Sequence, residues 1–194
     1  MVTSTLFLSL FLMLHTHTHI GRACAKLANA YGMKIIALRR NPSISVNDTL
    51  CDVVYGTGQD SLNRLMSDSD YVVCSMPLTD ETNGMINSVA INSMCSHCVF
   101  INLGRGKVLD ELVLVDALKE GRIRGAALDV FTEEPLPEKH ELWNLGDNVL
   151  ISPHNMDQTS SFMHEATDFF VKENLPRFIC GKKLLNQVDK CLGY

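Results

Sequence analysis

The chain is predicted to fold as a doubly wound α/β domain, a parallel sheet with helices on both faces. Short segments that are apolar throughout, such as Tyr71-Val72-Val73-Cys74-Ser75-Met76 and Val99-Phe100-Ile101, alternate with helical patterns along its length. Strands without a polar face need cover on both sides, and strand–helix alternation is how parallel neighbours are connected. No repeat or flexible linker interrupts the alternation, so 194 residues imply one main domain.

Each element follows from local chemistry. Gly21 to Tyr31, rich in Ala, Leu and Lys, is predicted as a helix that Gly32 closes at a C-cap position. Lys34 to Leu38 is a short strand ending in Arg39-Arg40-Asn41-Pro42, and Asp52 to Tyr55 a second. Ser61 to Met66 is a short helix, and Tyr71 to Met76 a strand stopped by Pro77. Asn87 to Met94 is helical, with Asn87 or Ser88 as N-cap. Val99 to Ile101 is a strand, and Asp110 to Glu120 a helix backed by Gly121. Ala126 to Val130 and Val149 to Ser152 are the last strands. A long helix over about Ser160 to Ile179 is interrupted by Pro176 and closed by Gly181.

The bulk properties exclude several classes. A hydrophobic share of 46% and a charged share of 20% suit a globular core. A net charge of -5, with Arg39-Arg40 and Lys182-Lys183 the longest basic runs, gives no nucleic-acid footprint. Seven cysteines, an odd and scattered count, fit a reducing, cytoplasmic setting. Cys95-Ser96-His97-Cys98 is half of a zinc motif without a second half, so no metal is expected. The apolar run Leu6 to Leu14 is too short to span a bilayer, and no membrane partner is expected. It lacks a basic n-region, which, with the unpaired-looking cysteines, argues against a secreted protein.

Arg105, Glu134 and His154 each stand where an apolar strand gives way to a loop. The carboxyl ends of parallel strands are where open sheets bind ligands. A cation, a carboxylate and an imidazole there can bind an anion and move a proton. Taken singly, each has a mundane reading: a surface arginine, a Glu-Glu-Pro turn, a capping histidine.

A resemblance to a known family decides otherwise. From about residue 20 to the C-terminus the chain resembles the D-isomer-specific 2-hydroxyacid dehydrogenases, which include phosphoglycerate dehydrogenase and glyoxylate/hydroxypyruvate reductase. The resemblance rests on Ile20-Gly21-Arg22 through Gly32-Met33-Lys34 and on Met76-Pro77-Leu78-Thr79-Asp80-Glu81-Thr82. It continues through Phe100-Ile101-Asn102-Leu103-Gly104-Arg105-Gly106, Gly125 to Val130, Glu134-Pro135-Leu136 and Ser152-Pro153-His154-Asn155.

The resemblance implies a Rossmann-like NAD(P)-binding domain and hydride transfer between NAD(P) and a small 2-hydroxy/2-keto acid. It implies that Arg105 binds the substrate carboxylate through its planar fork of donors. His154 is implied as the general acid/base. Glu134 is implied to bond the imidazole, fixing its tautomer and helping it hold a proton near neutral pH. Asp129 is expected to face the nicotinamide, and Pro77, Leu103, Gly104, Arg105 and His154 to line the cofactor groove. A homodimer is expected from the parent family.

The chain also departs from that pattern. In the family's G-x-G-x-x-G loop the third glycine is Gly21, but the first two positions hold Thr16 and Thr18, whose branched Cβ opposes positive φ and crowds the pyrophosphate. Residues 1–19 read as an atypical lead, with Leu10 to Leu14 standing in for the first strand. The expected domains are 20–181 for the dinucleotide and 182–194 as the tail of a mostly absent substrate domain. Half a cleft excludes water poorly, so low activity is expected. At the second strand end Arg39 and Arg40, without an acid beside them, favour NADP over NAD, with Arg39 preferred for the 2′-phosphate. A non-catalytic dinucleotide-binding or dimerisation module is the alternative.

Overall fold

The computed structural model describes residues 9–13, 19–40, 42–45, 49–155 and 158–190. The chain divides into two compact units, Met1–Pro153 and His154–Tyr194. The division falls at the end of the last strand, ahead of the long helix.

Among the described residues, the first unit forms a seven-stranded sheet in the order β3-β2-β1-β4-β5-β6-β7. Its strands are β1 (Ser9–Met13), β2 (Lys34–Arg39), β3 (Val53–Gly56), β4 (Tyr71–Cys74), β5 (Val99–Asn102), β6 (Gly125–Leu128) and β7 (Val149–Ile151). Every pairing is parallel. β1 occupies the centre, with Phe11 opposite Ile36 on one side and Val72 on the other. The atypical lead thus supplies the strand at which the order reverses, the position where doubly wound sheets open a ligand crevice. Thr16 and Thr18 lie outside the described residues, and so does Asn41.

The helices are α1 (His19–Ala30), α2 (Gln59–Ser67), α3 (Ser88–Asn92) and α4 (Glu111–Lys119). Gly32 takes φ 76 just past α1, as its C-cap role requires. Asn87 caps α3, its side chain accepting from the Ala90 N–H at 3.1 Å, and Asp110 caps α4 through the Val113 N–H at 3.3 Å.

Period-two alternation distributes the strand residues between the faces. Ile36 and Leu38 of β2 join Val72, Cys74 and Phe100 in the core under α2, α3 and α4, which includes Leu65, Ile91 and Leu114. Ile35 and Ala37 turn the other way and meet Ala25 and Ala28 of α1 and Val73. Both faces are covered at β2 and β4, which is why those strands read as apolar throughout. Full burial of a side chain such as Leu65 or Phe100 contributes about 1.5–3 kcal/mol.

The second unit holds α5 (Phe162–Phe169), a π-helical turn over Phe170–Asn174 and α6 (Leu175–Ile179). The single helix expected here is rewound just ahead of Pro176. Proline has no N–H and its ring collides with the carbonyl four residues back. The ladder shifts to a five-residue spacing, with the Leu175 N–H reaching the Phe170 carbonyl. Among the described residues no helix is long and apolar enough to cross a membrane.

Candidate functional site

The ends of β4, β5 and β6 meet on one rim of the sheet, and glycines let them approach. A Cβ on Gly104 would stand 2.5 Å from the Met76 carbonyl oxygen, and one on Gly106 would stand 1.9 Å from the Phe131 carbonyl carbon and oxygen. Only backbone without a side chain fits at these two places. Gly104 therefore lays the Arg105 loop on the segment leading to Pro77, and Gly106 lays it on the segment leading to Glu134.

Asn102, fully buried at the end of β5, holds the turn. Its Oδ1 accepts from the Gly104 N–H at 3.1 Å and its Nδ2 donates to the Arg105 carbonyl at 3.3 Å. The Leu103 N–H donates to the Cys74 carbonyl at 2.8 Å. Arg105 itself is exposed, with Nη1 donating to the Gly104 carbonyl at 2.7 Å. Leu103 and Pro77 are half-buried beside it.

The β6 end is built with equal care. Glu134 is exposed, and its Oε1 accepts from the Phe131 N–H at 2.9 Å, closing the 131–134 turn on itself. Glu111, buried in the first turn of α4, accepts from the Thr132 N–H at 3.1 Å through Oε2. Its Oε1 lies 3.3 Å from His140 Nε2. Asp129 is buried, and its Oδ1 accepts from Ser152 Oγ at 2.6 Å. The Ser152 N–H donates to the Leu128 carbonyl at 3.0 Å, so the chain leaving β7 runs beside Asp129. His154 opens the second unit, exposed and at φ 52. Of the trio, the first unit brings together the loops of Arg105 and Glu134.

The β2 end differs from the expectation in two ways. Arg39 follows the parity of Ile35 and Ala37, is buried, and directs Nη2 to Cys51 Sγ at 3.6 Å. Arg40 follows Leu38 instead. It lines a cavity of about 550 Å³ with Leu38, Gly58, Gln59, Leu62, Met76 and Thr82 among its walls. The pleat thus sets Arg40, rather than the preferred Arg39, at the cavity. The acid missing beside these arginines in sequence also arrives from elsewhere: Glu81 pairs with Arg40 and lines the same cavity. Gly21, the remaining fingerprint glycine, is buried inside α1.

Residues 12–155 match the model described as D-isomer specific 2-hydroxyacid dehydrogenase, NAD binding domain. The chain belongs to this family. Among curated relatives, it is 42% identical to a glyoxylate reductase of Thermococcus onnurineus over 135 residues, 70% of this chain and 38% of that protein. It is 32% identical to an uncharacterized protein of Corynebacterium melassecola over 90% of this chain and 55% of the relative. The chain spans about half the length of the curated relatives it matches, or less. Among solved structures, a D-isomer specific 2-hydroxyacid dehydrogenase of Xanthobacter autotrophicus in complex with NADPH and MES superposes with TM-score 0.80 at 33% identity, covering 95% of this chain and 73% of that one. An NADPH-dependent glyoxylate/hydroxypyruvate reductase of Sinorhizobium meliloti, bound to NADP and sulfate, gives TM-score 0.79 at 28% identity over 96% and 57%.

Sequence reasoning missed roles for Asn102, Glu111, His140 and Glu81. Asn102 and Glu81 stand within stretches that carry the family resemblance but have no role assigned there, and no local pattern marks Glu111 or His140. Among the described residues, no three His, Cys, Asp or Glu side chains stand together as a metal site. Burial pushes the thiols of Cys74 and Cys98 up to about 12, in Cys98 with help from neighbouring Cys95 and Asp70. Neither is a nucleophile at neutral pH.

Proposed function

We propose that this chain is the NAD(P)-binding part of an oxidoreductase that interconverts a small 2-hydroxy acid and its 2-keto acid, with NADP preferred. The observation that carries the reading is the Gly106 contact, which seats the Arg105 loop directly on the backbone leading to Glu134. The residues of the rim fit a dinucleotide: a cavity with a cation at its edge at the β2 end, and backbone without side chains where β4 and β5 close.

The bound nicotinamide would supply or accept the hydride. Arg105 binds the substrate carboxylate through two parallel donors and turns the carbonyl toward the nicotinamide side. His154 gives a proton to the carbonyl oxygen during reduction and takes one from the hydroxyl during oxidation. Glu134 accepts from the imidazole and fixes its tautomer. Asp129 faces the nicotinamide, held by Ser152. Pro77, Leu103 and Gly104 line the groove, Gly21 flanks the pyrophosphate, and Arg40 with Arg39 behind it serves the adenosine ribose.

Residues from 182 onward belong with the helical segment before them to the closing part of a substrate domain. The large apolar side chains exposed there, such as Phe170, Phe178 and Ile179, suit a surface covered in a homodimer or by further chain. The free cysteines among the described residues suit the cytoplasm.

The test is a fluorescence titration with NADPH and NADH, followed by glyoxylate, hydroxypyruvate or pyruvate. Saturable binding and slow NADPH oxidation that Arg105→Gln and His154→Gln abolish are the expected result. Saturable binding with no oxidation of any keto acid would favour the non-catalytic module, and absence of nucleotide binding would overturn both readings.

A further inference from the structure

The cavity at the end of β2 carries an element that the cofactor reading alone does not explain. Arg40 is the cation on its wall, yet Glu81 stands against it in an ion pair and lines the same space. The Arg40 side chain is 28% exposed and that of Glu81 is 69% exposed. Glu81 comes from a turn that is tightly held. Thr82 Oγ1 donates to the Pro77 carbonyl at 2.7 Å and accepts from the Thr79 N–H at 2.8 Å, while the Asn83 N–H reaches the Thr79 carbonyl at 2.9 Å. The backbone that delivers the carboxylate is therefore fixed, and only the exposed side chain swings.

We propose that Glu81 is a specificity-determining residue: it opposes a ribose 2′-phosphate at Arg40 and accepts from a ribose 2′-hydroxyl in its place. This rests on the cavity receiving the adenosine end of a dinucleotide. Near neutral pH a phosphate monoester is mostly the dianion, which offers only acceptors. It gains from Arg40, but it cannot bond an ionised carboxylate and is repelled by it. A 2′-hydroxyl has one proton to give, which a carboxylate takes well. With Glu81 against Arg40, the site holds both ribose types and discriminates between them less than Arg40 alone would. A 2′-phosphate binds after Glu81 turns out into solvent.

Adenosine 2′-monophosphate probes this directly, because it carries no phosphate of the pyrophosphate, and adenosine 5′-monophosphate, whose 2′-hydroxyl is free, is its control. The intact chain and its Glu81→Gln, Glu81→Lys and Arg40→Gln variants would be titrated with both by calorimetry, with circular dichroism as a check on folding. Removing one like charge at this partly exposed site is expected to tighten the 2′-monophosphate by roughly three- to tenfold. Glu81→Lys should tighten it further, and neither change should tighten the 5′-monophosphate. Equal affinity of wild type and Glu81→Gln for the 2′-monophosphate, while Arg40→Gln weakens it, would overturn the role of Glu81 and leave the cofactor reading standing. Tightening of both nucleotides alike would also overturn it. Absence of binding by wild type and every variant would remove the cavity reading and this proposal together.

Discussion

The ends of β4, β5 and β6 and the end of β2 share one rim of the sheet but are built by opposite means. At the first, backbone lies on backbone: Gly104 on Met76, Gly106 on Phe131, with Asn102 and Glu111 tying the strands from within. At the second, two arginines project to opposite sides, and the one at the cavity meets an acid 41 positions away through an exposed pair. The first region tolerates no added atom. The second can exchange side chains at little cost to the fold, so it is where cofactor preference can vary while the chemistry stays in register.

Alkaline titration should have the largest effect, through the core beneath both regions, where Cys74 and Cys98 are buried. Folded Cys74 and Cys98 stay protonated up to about 12, whereas in the unfolded chain they ionise from about 9. Stability is therefore complete below pH 9 and is lost as pH rises from 9 to 12. The loss is about 1.4 kcal/mol per pH unit for each thiol. Urea midpoints measured from pH 8 to 11 should fall steeply, and a Cys74→Ala, Cys98→Ala double variant should flatten the slope; an unchanged slope would refute burial as its cause.

Gly106→Ala comes next. Its Cβ collides with backbone that cannot rotate away, at an expected cost of about 3 kcal/mol in urea unfolding. A loss below about 1 kcal/mol would mean that the Arg105 and Glu134 loops are not rigidly seated. Asn102→Ala strips partners from the Gly104 N–H and the Arg105 carbonyl and should cost about 2 kcal/mol.

Glu111→Gln keeps an acceptor for Thr132 but loses the charge facing His140, for about 1 kcal/mol. Hydrogen exchange at the Thr132 amide should quicken in that variant more than at amides of β5. Arg40→Gln should change stability least, within about 0.5 kcal/mol, since its pair with Glu81 is partly exposed. A larger thermal shift would contradict the contrast between the two regions.

The same contrast explains what was readable in the chain. Asn102-Leu103-Gly104-Arg105-Gly106 forms its site from consecutive residues, and close backbone approach demands glycine, so the motif announces itself. The strand and helix pattern was equally legible, because burial on both faces forces apolar residues from Ile35 to Leu38 in β2 and from Val72 to Cys74 in β4. Element ends differ from expectation by one or two residues, as at β6, which begins at Gly125 and ends at Leu128. Arg39 against Arg40 turned on pleat parity, which depends on where the strand sits in the sheet. The stretch holding Glu81 marks the family, but its pairing with Arg40 had no local signal, because the two stand 41 positions apart.

Local chemistry thus sufficed for the alternation of strands and helices, for a cap at Asn87 or Ser88, and for the family to which Arg105, Glu134 and His154 point; that Asn87 and Asp110 are the caps was the structure's to decide. Periodicity, capping and close backbone contact act over a few residues, so their demands are written contiguously. Tertiary structure decided that β1 takes the centre of the sheet, that Arg39 is buried while Arg40 reaches the cavity, and that Glu81 and Glu111 act on residues far along the chain. Those outcomes depend on which segments the parallel order brings together, and the free energy of side-chain pairing exists only once they meet.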